Sequence, residues 1–159
     1  MTRDDKKSAR NFALRALARR MHTASEISAA LSRRGFGDDI VEEVVEDLVR
    51  QGYINDHHFA QVWVTSRSVH QLHGRLRLLR DLRLKGVPDE IAEPVLREAL
   101  TEETEVSIAI KAAEKKRRTL RTSGAQRRDA LYRHLRSKGF TAQVIKRALA
   151  DFIFEEDPF

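Results

Sequence analysis

The sequence predicts an all-α chain: three tandem three-helix repeats, about nine helices, stacked into an elongated, curved, solenoid-like array. Three observations predict it. Four of the seven glycines, Gly35, Gly52, Gly86 and Gly139, stand in one context. Each follows a leucine by four residues (Leu31, Leu48, Leu82, Leu135), comes just after an Arg or Lys, and precedes a bulky apolar residue (Phe36, Tyr53, Val87, Phe140). That context is a Schellman stop, with glycine in the left-handed conformation and the next side chain folded back on the leucine. Second, aligning Gly35, Gly86 and Gly139 exposes an internal repeat. Ile27, Leu78 and Leu131 lie eight residues before the glycine; Ile40, Ile91 and Val144 lie five after it; Val49, Leu100 and Ile153 lie fourteen after it. Third, charged residues make up 34% of the chain and hydrophobic ones 41%. So polar a chain suits thin repeat cores better than one large globule.

The elements follow in order. The first repeat, 8–56, opens with a helix over about 9–21. Thr23 and Glu26 form a capping box ahead of Ile27, and that helix runs to Gly35. Asp38 or Asp39 is expected to cap the third helix, which stops at Gly52. In the second repeat, 57–100, Asp56 caps a helix through about 59–69, and a second helix ends at Gly86. Pro88 suits the first turn of the helix through Leu100, whereas Pro94 inside it should bend or loosen it. The third repeat, 101–154, uses Thr101 as a cap, a helix over about 104–120, a helix ending at Gly139, and Thr141 as the last cap. Residues 1–7 and 155–159 read as mobile tails. No strand is expected.

Several chemistries are excluded. Without cysteine there is no disulfide, thiolate metal site or thiol nucleophile. No stretch is apolar enough to span a membrane, and the charged start MTRDDKKSAR is not a signal peptide, so a cytoplasmic chain with no membrane partner is expected. No phosphate loop, nucleophile elbow or zinc-protease signature is present. His70 and His73, three apart, and the pair His57-His58 read as surface histidines rather than metal ligands. Asp39, Glu42, Glu43 and Glu46 read as a solvated face beside a helix start. No catalytic residue, metal or cofactor is assigned.

Charge is the informative feature. The net charge is +6, and from residue 1 to 56 ten basic and ten acidic residues balance. From residue 111 to 147, thirteen basic residues face only Glu114 and Asp129. Lys111, Lys115 and Arg118 share a helix face, with Lys116, Arg117 and Arg121 beside it and Arg127 and Arg128 following. This set is the expected DNA contact, to backbone phosphates of single- or double-stranded DNA with weak sequence preference. A helix-turn-helix reader is disfavoured, because the first helix after a glycine turn opens on Asp38 and Asp39, which phosphates repel. Phe59 and Trp63, four apart, read as core packing.

The segment from Gly52 through Tyr53, Ile54, Asn55 and Asp56 to Phe59-Ala60, then Arg67, and later Asp81-Leu82 and Lys85-Gly86-Val87, resembles the RecX family. The likeness extends over residues 9–154. It departs at Ile54-Asn55, where the family pattern has Leu-Asp, at the turn ending in Gly74, and at Asp81 in place of Glu. RecX proteins regulate the recombinase RecA. The resemblance implies a curved all-helical protein that lodges in the groove of the RecA–DNA filament, lowers ATP hydrolysis, hinders strand exchange and limits filament growth, damping recombination and the SOS response; a monomer is expected. Arg67 comes from the motif, either as a partner contact or as a buried helix-linking arginine. With it, Arg75, Arg77 and Arg80 would face acidic filament surfaces, and Glu42 and Glu46 a basic patch. The alternatives are a nucleoid-type DNA-binding protein acting through the basic third repeat and, last, an enzyme of unrecognised type.

Overall fold

The computed structural model describes residues 3–150 and 152, and among them the chain is entirely helical. Nine α-helices follow one another: α1 Arg3–Arg19, α2 Ala24–Arg33, α3 Asp38–Arg50, α4 Asp56–His70, α5 Arg75–Leu84, α6 Asp89–Ala99, α7 Glu102–Arg117, α8 Gly124–Ser137 and α9 Ala142–Ala150. The four glycine stops form as expected. Gly35, Gly52, Gly86 and Gly139 have φ between 76° and 92°. The following N–H donates to the carbonyl of the leucine, as in Phe36 to Leu31 at 3.3 Å and Val87 to Leu82 at 3.0 Å. The fold-back differs at one stop. Tyr53 is 56% exposed, and Ile54, 2% exposed, takes the buried place beside Leu48.

Other departures lie at the ends of helices. α1 begins at Arg3, inside the stretch expected to be mobile, because Lys6 pairs with Glu43 and Asp47 on α3. Residues 1–2, 151 and 153–159 lie outside the described residues, and with them Ile153 of the repeat pattern and the expected tail at 155–159. Gly37, not Asp38 or Asp39, is the N-cap of α3. Asn55 caps α4 by accepting from the His58 N–H at 2.9 Å. Asp56 is thereby free to accept from the Ala24 N–H at 2.9 Å, at the start of α2. Thr23, Thr101 and Thr141 cap as expected. α6 continues through Pro94.

Packing divides the chain into two compact units, and the division runs through the second repeat. Unit 1 is Met1–Val62 with Leu82–Ala92; unit 2 is Trp63–Asp81 with the residues from Glu93 onward. In unit 1 the core gathers Ala9, Ala13, Ile27, Leu31, Val44 and Leu48 from α1, α2 and α3, at one face of each amphipathic helix. In unit 2, Ala109, Ala112 and Ala113 let α7 approach Leu131 and Leu135 of α8 and Val144, Ile145 and Leu149 of α9, all buried. Each large buried side chain contributes about 1.5–3 kcal/mol.

Each unit also holds one copy of the same joint, in which the glycine turn of one repeat seats on the second helix of the repeat before it. In unit 1, the Thr23 hydroxyl donates to the Lys85 carbonyl at 2.7 Å, and a Cβ on Gly86 would strike Ser25 at 2.2 Å. In unit 2, the Gly74 N–H donates to the Lys138 carbonyl at 2.9 Å and the Leu76 N–H to the Gly139 carbonyl at 3.0 Å. A Cβ on Gly74 would lie 2.7 Å from that carbonyl oxygen. Thr23 and Gly74 are equivalent in the repeat, as are Lys85 and Lys138. Where threonine reaches with a hydroxyl, glycine lets the backbone itself come in. An acid from the first helix of the next repeat caps each seat: Asp56 on Ala24, and Glu105 on the Arg75 N–H at 2.8 Å. Burial pushes both carboxyls up, and the N–H each accepts from only partly offsets it.

Candidate functional site

A face that meets a charged partner must have charges its own protein does not already satisfy. Judged so, the expected contact residues separate into two groups. Glu42 and Glu46 lie exposed on α3 of unit 1 with no ion pair among the described residues, while Glu43 and Asp47 beside them are taken by Lys6 and Arg50. In unit 2, Arg67 stacks on Trp63, its guanidinium carbon 4.3 Å from the ring centroid. That geometry makes Arg67 a half-buried brace along α4. Arg75 is bonded to Glu93 at 2.9 Å. Arg77 packs its Cβ against Gly139 and reaches the Ser137 carbonyl at 3.5 Å. Of these arginines, Arg80 is the exposed one.

Of the residues expected to meet DNA, those over 111–121 are less engaged. Lys111, Lys115, Arg117, Arg118 and Arg121 are exposed, and with half-buried Lys116 they make no ion pair among the described residues. Three of these, Lys115, Lys116 and Arg117, sit in the last turn of α7, where the helix dipole favours cations. Arg127 differs: its Nε donates to the Thr122 carbonyl at 2.6 Å, tying down the start of α8. Arg128 is exposed near the start of α8. The outcome is a cationic ridge over residues 111–121, held up by the buried alanine face of α7.

Some residues at this ridge were not legible in the charge pattern. Lys115 and Lys116 line a cavity of about 510 Å³ together with His73, His134 and Lys138. His73 is 5% exposed, against the expectation of a surface histidine. Among the described residues no group of three metal-ligating side chains is close enough to hold an ion. No described helix is long and apolar enough to cross a membrane.

Comparison with known proteins adds the family context. Three family domain profiles match in succession: RecX first three-helix domain at 9–48, second at 55–96 and third at 103–149. The chain is 36% identical over 153 residues to the regulatory protein RecX of Prosthecochloris aestuarii, covering 96% of this chain and 99% of that one. It is 37% identical to that of Pelodictyon phaeoclathratiforme, covering 94% and 91%. Among solved structures, the crystal structure of RecX from Lactobacillus salivarius superposes with a TM-score of 0.87 at 25% identity, covering 94% of this chain and 97% of that one.

Proposed function

The chain belongs to the RecX family of regulatory proteins, and from that premise we propose that it binds the RecA–DNA filament and mainly inhibits it. It would lower ATP hydrolysis, hinder strand exchange and limit filament growth. The observation that carries this reading is the pair of oppositely charged, unsatisfied patches: Glu42 and Glu46 on unit 1, and the cations of residues 111–121 on unit 2. A protein–DNA polymer offers both signs of charge at short intervals. Several modest contacts made by one chain then reinforce each other through effective concentration. Bare DNA offers only phosphate, which the acidic face of α3 repels.

The test is co-sedimentation with preformed RecA filaments on single-stranded DNA, against the same DNA alone, at about physiological salt. The reading expects the filament to retain the chain at protein concentrations that leave bare DNA unbound. It also expects Glu42→Lys with Glu46→Lys to weaken retention by filament while strengthening binding to bare DNA. Equal retention by both would favour the alternative, a nucleoid-type DNA binder, for which the cationic ridge alone is the specific observation.

A further inference from the structure

The two joints place a histidine and a lysine alike, yet only one of them has an anion between the two. Thirteen residues before Gly35 and Gly86 stand His22 and His73; one before Gly86 and Gly139 stand Lys85 and Lys138. Nine before Gly35 and Gly86 the residue changes from Glu26 to Arg77. In unit 1 the Glu26 carboxylate gathers the whole set: Lys85 Nζ at 3.0 Å, Arg20 at 3.2 Å, His22 Nδ1 at 3.4 Å and the Thr23 N–H at 3.3 Å.

Unit 2 has the cations without the carboxylate. Lys138 Nζ turns to the Gln71 carbonyl at 2.9 Å, and the buried Nδ1 of His73 has no hydrogen-bond partner. The cavity beside them is lined also by Lys115, Lys116, Thr119 and His134, and no carboxylate is among its lining residues. The cations hold one another's proton affinities down. Burial, then Arg77 and Lys138, push His73 down to about 4; burial, then Lys138 and Lys116, lower His134; burial, then Arg77 and Lys115, lower Lys138. The turn presenting His73 carries a cost of its own, with Leu72 at φ 54°, where a branched side chain is strained. A buried imidazole nitrogen without a partner and a strained turn at one place point to a ligand.

We propose that this cavity binds a phosphoryl group, an external anion standing where unit 1 supplies Glu26. A carboxylate is satisfied by the donors that surround Glu26. The three ammonium groups of Lys115, Lys116 and Lys138 and the three imidazoles of His70, His73 and His134 around the cavity match a tetrahedral oxyanion carrying more charge and more oxygens. About 510 Å³ also leaves room for whatever carries the phosphate. Inorganic phosphate, a nucleotide and a DNA backbone share this chemistry. The inference stands independently of the filament reading, since binding of phosphate needs neither recombinase nor DNA.

The test follows the six histidines of the full chain by their C2–H resonances. Inorganic phosphate is titrated to about 10 mM, which fills even a millimolar site, and a short oligodeoxythymidylate is titrated separately. His73 and His134 should shift saturably, while exposed His57 and His58 should not. Lys138→Gln should weaken binding at least tenfold, exposed Lys115→Gln severalfold, and Arg33→Gln on α2 not at all. Arg77→Glu, which restores the internal carboxylate, should abolish the phosphate shift in a protein whose far-ultraviolet circular dichroism is unchanged. Saturation by phosphate identifies a free phosphate or nucleotide as source; saturation by the oligonucleotide alone identifies the backbone. No shift at His73 with either, or equal drift of all six histidines, overturns the proposal.

Discussion

Units 1 and 2 are built around the same joint and complete it with different chemistry. Both seat a glycine turn on the start of a helix, both bond a lysine carbonyl there, and both borrow an acid from the next repeat as a cap. Unit 1 then neutralises its cations with Glu26. Burial pushes that carboxyl up, but Lys85, Arg20 and the Thr23 N–H outweigh burial and hold it below its ordinary value. Unit 2 places Arg77 there and remains cationic. A repeat can thus keep its joint and change its surface, because the joint rests on backbone groups and close approach whereas charge rests on side chains that the joint does not need.

The largest effect expected lies in the joint itself. Gly139→Ala would push a Cβ to 2.5 Å from the Arg77 backbone nitrogen at φ +90°, and should cost about 3 kcal/mol or more. Gly35, at φ +92°, has nothing within 4 Å of where its Cβ would stand. Gly35→Ala should cost only about 1–2 kcal/mol, the left-handed strain alone. Urea unfolding of the two variants measures the difference, and equal losses would break the claim that the turns are seats.

Next comes the carboxylate. Glu26→Gln leaves Lys85 and Arg20 facing a neutral group and should cost about 1–2 kcal/mol. The same assay on Arg77→Glu should show no loss, because that carboxylate gains Lys138 and His73 as partners. A loss in Arg77→Glu as large as in Glu26→Gln would show that the two joints are not equivalent.

Acid should separate the units. His73 has a folded value near 4, against 6.5 ordinarily, so the unfolded chain takes its proton first. Its contribution to stability is full above about pH 6.5, and it is lost as pH falls toward 4. Arg77, Lys138 and Arg67 oppose protonation there, and Asp81 favours it. Glu26 holds a lowered value, so its contribution is present above its ordinary 4.5 and is lost below that. Amide protection factors, taken against the intrinsic exchange rate at each pH, should therefore fall in α8 and α9 between pH 6.5 and 4.5, and fall less in α2 and α3, where burial lowers His22 as well. His73→Gln should remove that larger fall.

The smallest effects belong to single surface cations. Lys115, Lys116, Arg117 and Arg118, each changed to Ala, should lower the salt slope of single-stranded-DNA binding by roughly 0.7 per lost phosphate contact. The variants should leave unit 1 unaffected. An unchanged slope would remove the ridge as a phosphate contact.

Much of this fold was legible because its punctuation is local. A Schellman stop needs only a glycine, a leucine four residues earlier and an apolar neighbour, so all four could be read from the chain. What escaped was settled at a distance. Asn55 and Asp56 are equally good caps in sequence, and only the position of Ala24 assigns Asp56 elsewhere. Glu105 reads as one more acid at a helix start until the Arg75 N–H is seen against it. Arg75 and Arg77 read as partner contacts, yet Glu93 and the Gly139 turn absorb them, and of the two readings left open for Arg67 its stacking on Trp63 favours the brace. The cationic ridge was legible because only Glu114 and Asp129 stand nearby in sequence against thirteen basic residues. The cavity was not, although one signal was present: carrying the repeat alignment back thirteen residues pairs His22 with His73 and exposes the exchange of Glu26 for Arg77.

The central functional claim is that the oppositely charged patches of the two units act together on a protein–DNA polymer. Single-stranded-DNA-dependent ATP hydrolysis by RecA, titrated with this chain well below the concentration that coats the DNA, tests it most directly. The account predicts inhibition in that range, weakened both by Glu42→Lys with Glu46→Lys and by the quadruple alanine variant of the ridge. Inhibition that begins only when the DNA is saturated, and that responds to the ridge variant alone, would contradict it.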